Sequence, residues 1–196
     1  MKRSLVHTVV RCWVIALLCV SSVPCLAQYG DWTHRGTLAL LTTPEGAGLP
    51  ASAREEGFPV LVRLNGETFH FKQARADGSD IRFSAEGQPL AYQIERWDPA
   101  RGEACVWVRI PVIRGNARQE LTLHWGNAGA GTESDGNAVF HESNGYAVAM
   151  HLGDVDDPVR DEAGNLSPTN KGTEACRGEI GRGPVRRWQL HRTWSK

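Results

Sequence analysis

Three short runs of alternating residues, separated by turn residues, constrain the fold of this chain more than any other feature. The runs occupy residues 81–84, 90–97 and 105–111. They are rich in β-branched, aromatic and aliphatic side chains, and Gly, Pro, Asp and Asn residues stand between them. This pattern is typical of consecutive antiparallel strands joined by tight turns.

Further runs of the same kind predict strands at residues 37–42, 58–64, 120–125 and 146–152, and residues 138–140 form at most one helical turn. Alternation predicts a shared buried face for Val106, Val108 and Ile110, and another for Leu121 and Leu123. Strands that are apolar on one side and mixed on the other favour two packed antiparallel sheets. We therefore predict an all-β fold, with an antiparallel β-sandwich over residues 28–142 and an incomplete jelly-roll-like start after it.

The first 27 residues have the pattern of a secretory signal peptide. Lys2, Arg3 and Arg11 precede a short apolar run, and Cys25 and Ala27 are the small residues expected before a cleavage site. The apolar run is shorter than the roughly 20 residues that a membrane-spanning helix needs, and Pro24 interrupts it. We predict cleavage before Gln28 and export of the chain to a bacterial periplasm or the extracellular space.

Charge and cysteine content exclude several classes of function. Residues 28–196 hold 19 basic and 22 acidic residues, a formal charge of −3, and no basic stripe that would follow the phosphates of a nucleic acid. The exported chain would keep Cys105 and Cys176, which could form a disulfide in an oxidising compartment. The alternative for Cys105 is a small buried hydrophobic residue within a strand, and this interpretation is favoured.

Two acidic groups are candidates for a metal site. Asp77 and Asp80 flank a turn and offer carboxylates to Ca²⁺, which prefers oxygen ligands on loops. The alternative is an Asx-type turn that leads into the next strand, and we favour it. Asp154, Asp156 and Asp157 form a second acidic group, in which a solvated loop is favoured over a metal site. No other cofactor is predicted.

Tryptophans provide the candidate ligand-binding residues. Trp32, Trp97 and Trp125, with Trp107 as a further member of the group, could offer flat faces for sugar rings. Core packing is the competing interpretation for any tryptophan in an apolar alternation, and it is favoured.

No catalytic motif is recognisable, and we predict that the chain is not an enzyme. A glycosidase needs two placed carboxylates. Residues 133–135 begin like the Glu-x-Asp-x-x-Glu strand of concanavalin-like glucanases, but Ala138 stands where the second Glu would be. A Gly-x-Ser-x-Gly elbow and a His-Glu-x-x-His helix are both missing from the sequence, whereas a dispersed Ser/His/Asp set stays open.

Several motifs in order resemble the bacterial family called domain of unknown function 2341. They are Gln28–Trp32, Phe58–Leu64, Phe71, Asp77–Phe83, Leu90–Trp97, Val106–Pro111, Leu121–Asn127 and Ala138–Phe140. The resemblance implies a following concanavalin-like (laminin-G-like) domain, whose start we place at residues 143–183. In larger members it also implies a MotA/TolQ/ExbB-type proton-channel region, which would be a membrane-channel partner or a missing C-terminal membrane region here.

The last residues depart from the family pattern. Residues 184–196 are an aberrant basic tail where the family would show a strand around Phe-Asp-Gly. Read one nucleotide later with suitable codons, this stretch spells such a strand, so we hypothesise a frameshift near Gly183 and a truncated chain. Because residues 154–196 show little apolar alternation, we expect them to be mobile or only loosely docked.

Two classes of function follow from these observations. The first is a non-catalytic exported binding or sensory module that recognises a glycan or a cell-envelope polymer. The second is a polysaccharide-active hydrolase of the concanavalin-like glucanase type. The absence of a recognisable catalytic motif favours the binding module.

Overall fold

The computed structural model describes residues 28–152, 159–168, 173–177 and 182–186. The chain divides into a unit Met1–Gly30 and a unit Asp31–Lys196. Of the first unit only the turn at residues 28–30 is described, so the predicted signal peptide lies outside the described residues. The described residues from Asp31 onward belong to the second unit.

Seven strands form two antiparallel sheets. Sheet 1 has the order β1-β7-β3-β4, with β1 at His34–Leu41, β3 at Arg82–Ala85, β4 at Gln88–Leu90 and β7 at Arg118–Trp125. Sheet 2 has the order β2-β6-β5, with β2 at Arg54–Asn65, β5 at Tyr92–Asp98 and β6 at Glu103–Arg114. The all-β sandwich expected from the alternating runs is confirmed.

The core lies between the inner faces of the two sheets. Val106 and Val108 are fully buried, and Ile110, Leu121 and Leu123 are at most 4 % exposed. These five residues pack into one cluster with aromatic residues from the strands and the loop before β3. The predicted inner faces of residues 105–111 and 120–125 are therefore confirmed.

The run predicted as one strand at residues 90–97 is in fact two strands in different sheets. Leu90 pairs with Phe83 in sheet 1, whereas Tyr92 pairs with Val108 in sheet 2. The chain crosses between the sheets at Ala91. Leu90 and Tyr92 are both buried, so the apolar alternation continues across the junction and conceals it in the sequence.

A short helix follows the sandwich strands. Helix α1 spans Gly136–Val139, and Asp135 caps it by accepting hydrogen bonds from the backbone N–H groups of Asn137 and Ala138. Val139 and Phe140 are buried, and they pack with Ala163, Trp107 and Tyr146 on the outer face of sheet 2. This face of the sandwich is therefore covered by the chain itself.

The strand predicted at residues 146–152 is wrong, because these residues have no strand conformation. Their backbone groups bond to a neighbouring loop instead of a sheet. Ala149 donates its N–H to Asp161 Oδ1 and accepts the N–H of Glu162. Val148 and Leu152 are each 43 % exposed, so the apolar residues of this run do not share a buried face.

Further along the chain, β8 at Thr173–Arg177 and β9 at Arg182–Arg186 form an antiparallel pair. The sequence pattern did not predict these strands, since Pro184 and several charged residues weaken the alternation. Within the part of the chain that the structure describes, no helix is long and apolar enough to cross a membrane.

Candidate functional site

Asp80, a candidate metal ligand, anchors the backbone of two loops. The residue is 1 % exposed. Its Oδ1 accepts the N–H of Arg75 at 2.9 Å, and its Oδ2 accepts the N–H groups of Gly126 and Asn127 at 2.8 and 3.2 Å. Both carboxylate oxygens are thus engaged in holding the turn before β3 against the end of β7.

Asp77 lies at the surface in an Asx-type turn. Its Oδ1 accepts hydrogen bonds from the backbone N–H and the hydroxyl of Ser79, and these bonds lower the pKa of the carboxyl. Among the residues that the structure describes, no group of three or more His, Cys, Asp and Glu side chains could hold a metal ion. Calcium binding by Asp77 and Asp80 stays a prediction, and the group at Asp154, Asp156 and Asp157 lies outside the described residues.

The structure brings Trp97 and Trp125 together around one aromatic core residue. The ring of Phe69 lies 5.8 Å from Trp97 and 5.0 Å from Trp125, measured between centroids. Gly78, with φ +69°, lies under Trp97, where an added Cβ would approach the ring to 2.6 Å. Trp125 also stacks on His34. These two tryptophans contribute to packing between the sheets.

Trp32 lies elsewhere, on the outer side of sheet 1. Its Nε1 donates to the carbonyl of Asp80, and its ring centroid is 5.3 Å from the guanidinium carbon of Arg82. Arg82 is 3 % exposed and forms an ion pair of 3.0 Å with Glu133. The structure therefore does not place the three candidate tryptophans in one platform.

A polar surface, which we name the Arg35 face, occupies the outer side of sheet 1 beside Trp32. In the strand register, Arg35 of β1 stands opposite His124 of β7, and Thr37 stands opposite Thr122. Ser84 of β3 stands opposite Thr122 on the other side of β7. The Arg35 face is made of Arg35, Thr37, Ser84, Thr122 and His124. Arg35 and Thr37 are exposed, and the opposite, inward-facing residues of β1 pack against the core.

The electrostatics of the Arg35 face favour a negatively charged ligand. Burial lowers the pKa of His124, and the positive charge of Arg35 lowers it further. His124 is therefore neutral near neutral pH, and Arg35 supplies the positive charge of the exposed surface. The Nε2 atom of His124 lies 2.9 Å from Ser84 Oγ, so the pair of side chains can present either a donor or an acceptor.

A second group of polar side chains, the Glu95 cluster, lies under residues 140–152 on the outer face of sheet 2. Glu95 Oε2 accepts the Trp107 Nε1–H at 2.6 Å and lies 3.6 Å from His151 Nδ1. His151 Nε2 is 2.8 Å from Gln93 Oε1, and its ring stacks on Trp107 with an interplanar angle of 13°. The side chain of Glu95 is 7 % exposed.

A β-bulge positions Glu95 in this cluster. The pairing of β5 with β6 shifts between Ile94 and Arg96, so that one extra residue stands opposite Cys105. Bulges of this kind redirect a side chain without ending the strand. The sequence carried a signal for it, because Glu95 and Arg96 are two successive polar residues in an otherwise alternating run. The partner His151 is 56 positions away, and nothing local indicates the contact.

Cys105 is half-buried on the outer face of sheet 2 and has a free thiol. Burial raises the pKa of the thiol, and the negative charge of Glu95 raises it further. The side chain of Cys176 lies outside the described residues, and a disulfide between the two cysteines stays the less favoured of the two expectations.

The glucanase-like residues hold structure together. Glu133 pairs with Arg82, Ser134 Oγ accepts the N–H of Ile94, and Asp135 caps α1. Each of these side chains thus has a partner within the fold.

Residues 77–152 match the family model described as domain of unknown function (DUF2341). The resemblance found in the sequence is confirmed over that segment, which includes β3 to β7 and the covering residues on sheet 2. No curated protein matches the chain, and no solved structure matches it.

Proposed function

We propose that this chain, in which residues 77–152 match the DUF2341 family, is an exported, non-catalytic binding module for a glycan or cell-envelope polymer. The observation that carries the proposal is the Arg35 face. It combines one exposed guanidinium, an imidazole and the hydroxyl groups of Thr37 and Thr122 on an antiparallel sheet whose other face packs into the core.

The rigidity of the surrounding loops supports a binding role. Binding residues are commonly found on surfaces that a rigid scaffold positions. Asp80 ties the backbone of the turn before β3 to the residues after β7, next to Trp32. A polymer that docks on the Arg35 face would therefore meet neighbouring loops whose backbone is already in place, which lowers the entropic cost of binding.

Binding without turnover is the test of this proposal. We would incubate the purified chain with a panel of envelope and extracellular polysaccharides, and measure both co-sedimentation and release of reducing sugar or acyl groups. The proposal predicts saturable binding to at least one polymer and no release of product. Reproducible turnover would refute the non-catalytic assignment, and the lack of binding to every polymer would refute the binding module.

A polysaccharide-active hydrolase is the alternative, and the Ser84–His124 pair is the observation in its favour. A neutral His that lies 2.9 Å from a serine hydroxyl can accept its proton, and an ester substituent on a polysaccharide would then be the substrate. Ser84 is only 6 % exposed, however, which restricts the access of a substrate. Labelling of Ser84 by a fluorophosphonate probe, with loss of the label in Ser84→Ala, would favour the hydrolase.

Export and a link to a membrane channel complete the proposal. The residues before Gln28 support export, and the family resemblance supports coupling to a MotA/TolQ/ExbB-type proton channel in relatives. In such a relative, a polymer-binding module outside the cytoplasm would report or transmit polymer engagement to the channel. Co-purification of the exported chain with a channel subunit from the same cells would test this coupling.

A further inference from the structure

We propose that the Arg35 face binds an acidic polysaccharide whose repeating unit carries a carboxylate, as a uronate does. This inference rests on the proposed function and names the chemical class of its ligand. The Arg35 guanidinium would take the carboxylate, the hydroxyl groups of the face would bond to the sugar hydroxyls, and the half-buried ring of Trp32 would border the sugar.

The exposed guanidinium of Arg35 favours an anionic ligand. Within the described part of the chain, the Arg35 side chain forms no ion pair and no hydrogen bond, although most other arginine side chains there do. It is exposed, on a strand whose alternation keeps its neighbours Leu38 and Leu40 in the core. A guanidinium offers a planar fork of donors that matches a carboxylate in a bidentate arrangement.

The net charge on the outer face of sheet 1 favours a ligand with one negative charge in each repeating unit. Further along β7, the outer face carries one carboxylate, that of Glu120. Arg118 forms an ion pair with it at a distance of 3.5 Å. Arg82 is neutralised by Glu133. About one positive charge therefore remains near His124, which is itself neutral near neutral pH. One charge suits a single carboxylate in each sugar unit better than a phosphate of higher charge density.

The hydroxyl groups of the Arg35 face favour a sugar as the ligand. Thr37 and Thr122 stand opposite each other on β1 and β7, in the row next to that of Arg35 and His124. Hydroxyl groups in such rows can donate to or accept from sugar hydroxyls. A polymer of uronate units offers carboxylates, hydroxyls and an apolar ring face in the same repeat, and these three groups match Arg35, the threonines and Trp32.

Arg63 provides a matched control. It is an exposed arginine on β2 whose side chain also lacks an ion pair and a hydrogen bond in the described part of the chain, but it lies on sheet 2, opposite Cys105 of β6. Affinity for polygalacturonate, dextran and polyphosphate would be measured for the full chain, for Arg35→Ala, for Arg35→Lys and for Arg63→Ala. Thermal melting of each variant would verify that it folds.

The inference predicts binding of polygalacturonate over dextran, weaker binding at higher salt, and an affinity loss of about tenfold in Arg35→Ala, as for one charge-assisted contact. Arg35→Lys should recover part of the affinity, and Arg63→Ala should keep all of it. Equal binding of dextran, tighter binding of polyphosphate, or an equal loss in Arg63→Ala would overturn the inference and leave the binding module standing. Failure to bind any polymer would refute the binding module itself.

Discussion

Single buried carboxylates organise the loops of this molecule. Asp80 accepts three backbone N–H groups, and Asp161 accepts those of Ala149, Ala163, Asn165 and Leu166. These bonds, with that from Ala149 the largest contribution, lower the pKa of Asp161. The sequence could not predict either anchor in full, because the fold alone brings Gly126 and Asn127 to Asp80 and Ala149 to Asp161.

Replacing Asp80 with Ala should destabilise the domain strongly. The change leaves the partly buried N–H groups of Arg75, Gly126 and Asn127 without their acceptor, and we expect a loss of about 3 kcal/mol in the free energy of unfolding. Denaturant titration monitored by tryptophan fluorescence measures this loss. Asp77→Ala is the control, and a loss as large as that of Asp80→Ala would contradict the anchoring role.

His124 should make stability depend on pH. Burial and the charge of Arg35 lower its pKa below the ordinary value of 6.5, so the unfolded chain takes up the proton first as the pH falls. The contribution of His124 is therefore fully present above about pH 6.5 and is lost as the pH falls toward the lowered pKa. The wild-type protein should lose more stability than His124→Gln between about pH 7 and about pH 5. Parallel pH curves for the two proteins would show that His124 does not titrate in this way.

The strands show how far alternation can predict elements. Val106, Val108 and Ile110 face the core as their spacing indicates, because a period of two has one buried side in a sandwich. The crossing at Ala91 was not predictable, since apolar residues on both sides of it point to the same core. The strand predicted at residues 146–152 is wrong for the opposite reason. The run is apolar, but hydrogen bonds to a loop satisfy its backbone.

Residues 146–152 are held on sheet 2 chiefly by side chains. Tyr146 packs edge-on against Phe140, and His151 stacks on Trp107 and bonds to Gln93. Replacing His151 with Ala removes these contacts and those with Glu95 and Phe140, so this segment should become more open to cleavage by chymotrypsin at Tyr146. Mass spectrometry of the timed digest measures the rate.

The control for this variant is Val148→Ala, which trims a side chain that is 43 % exposed. It should be cleaved at the wild-type rate. If His151→Ala were cleaved no faster than Val148→Ala, the Glu95 cluster would not be what holds the segment.

At the scale of the whole molecule, the two outer faces of the sandwich differ. The outer face of sheet 2 is covered by α1 and the residues that follow it, whereas β1 keeps Arg35, Thr37 and Ala39 exposed on sheet 1. The two-sheet architecture was predictable from six of the seven alternating runs. The Arg35 face was not, because Arg35 and Thr37 meet His124 and Thr122 only through the pairing of strands whose partner residues are 85 to 89 positions apart in the sequence.

Export of the chain should leave a defined first residue. Cleavage after the small residue Ala27 predicts that the protein from the cell envelope begins at Gln28. N-terminal sequencing or intact-mass measurement of that fraction would show it, and a protein that retains Met1 would contradict the predicted signal peptide.

The location of the polymer site can be measured directly by NMR. Amide spectra of the ¹⁵N-labelled chain would be recorded during titration with short oligogalacturonates. The account predicts shift changes concentrated at Arg35, Thr37, Thr122, His124 and Ser84, and their disappearance in Arg35→Ala. Changes confined to β2, β5 and β6, or no change at any concentration, would contradict it.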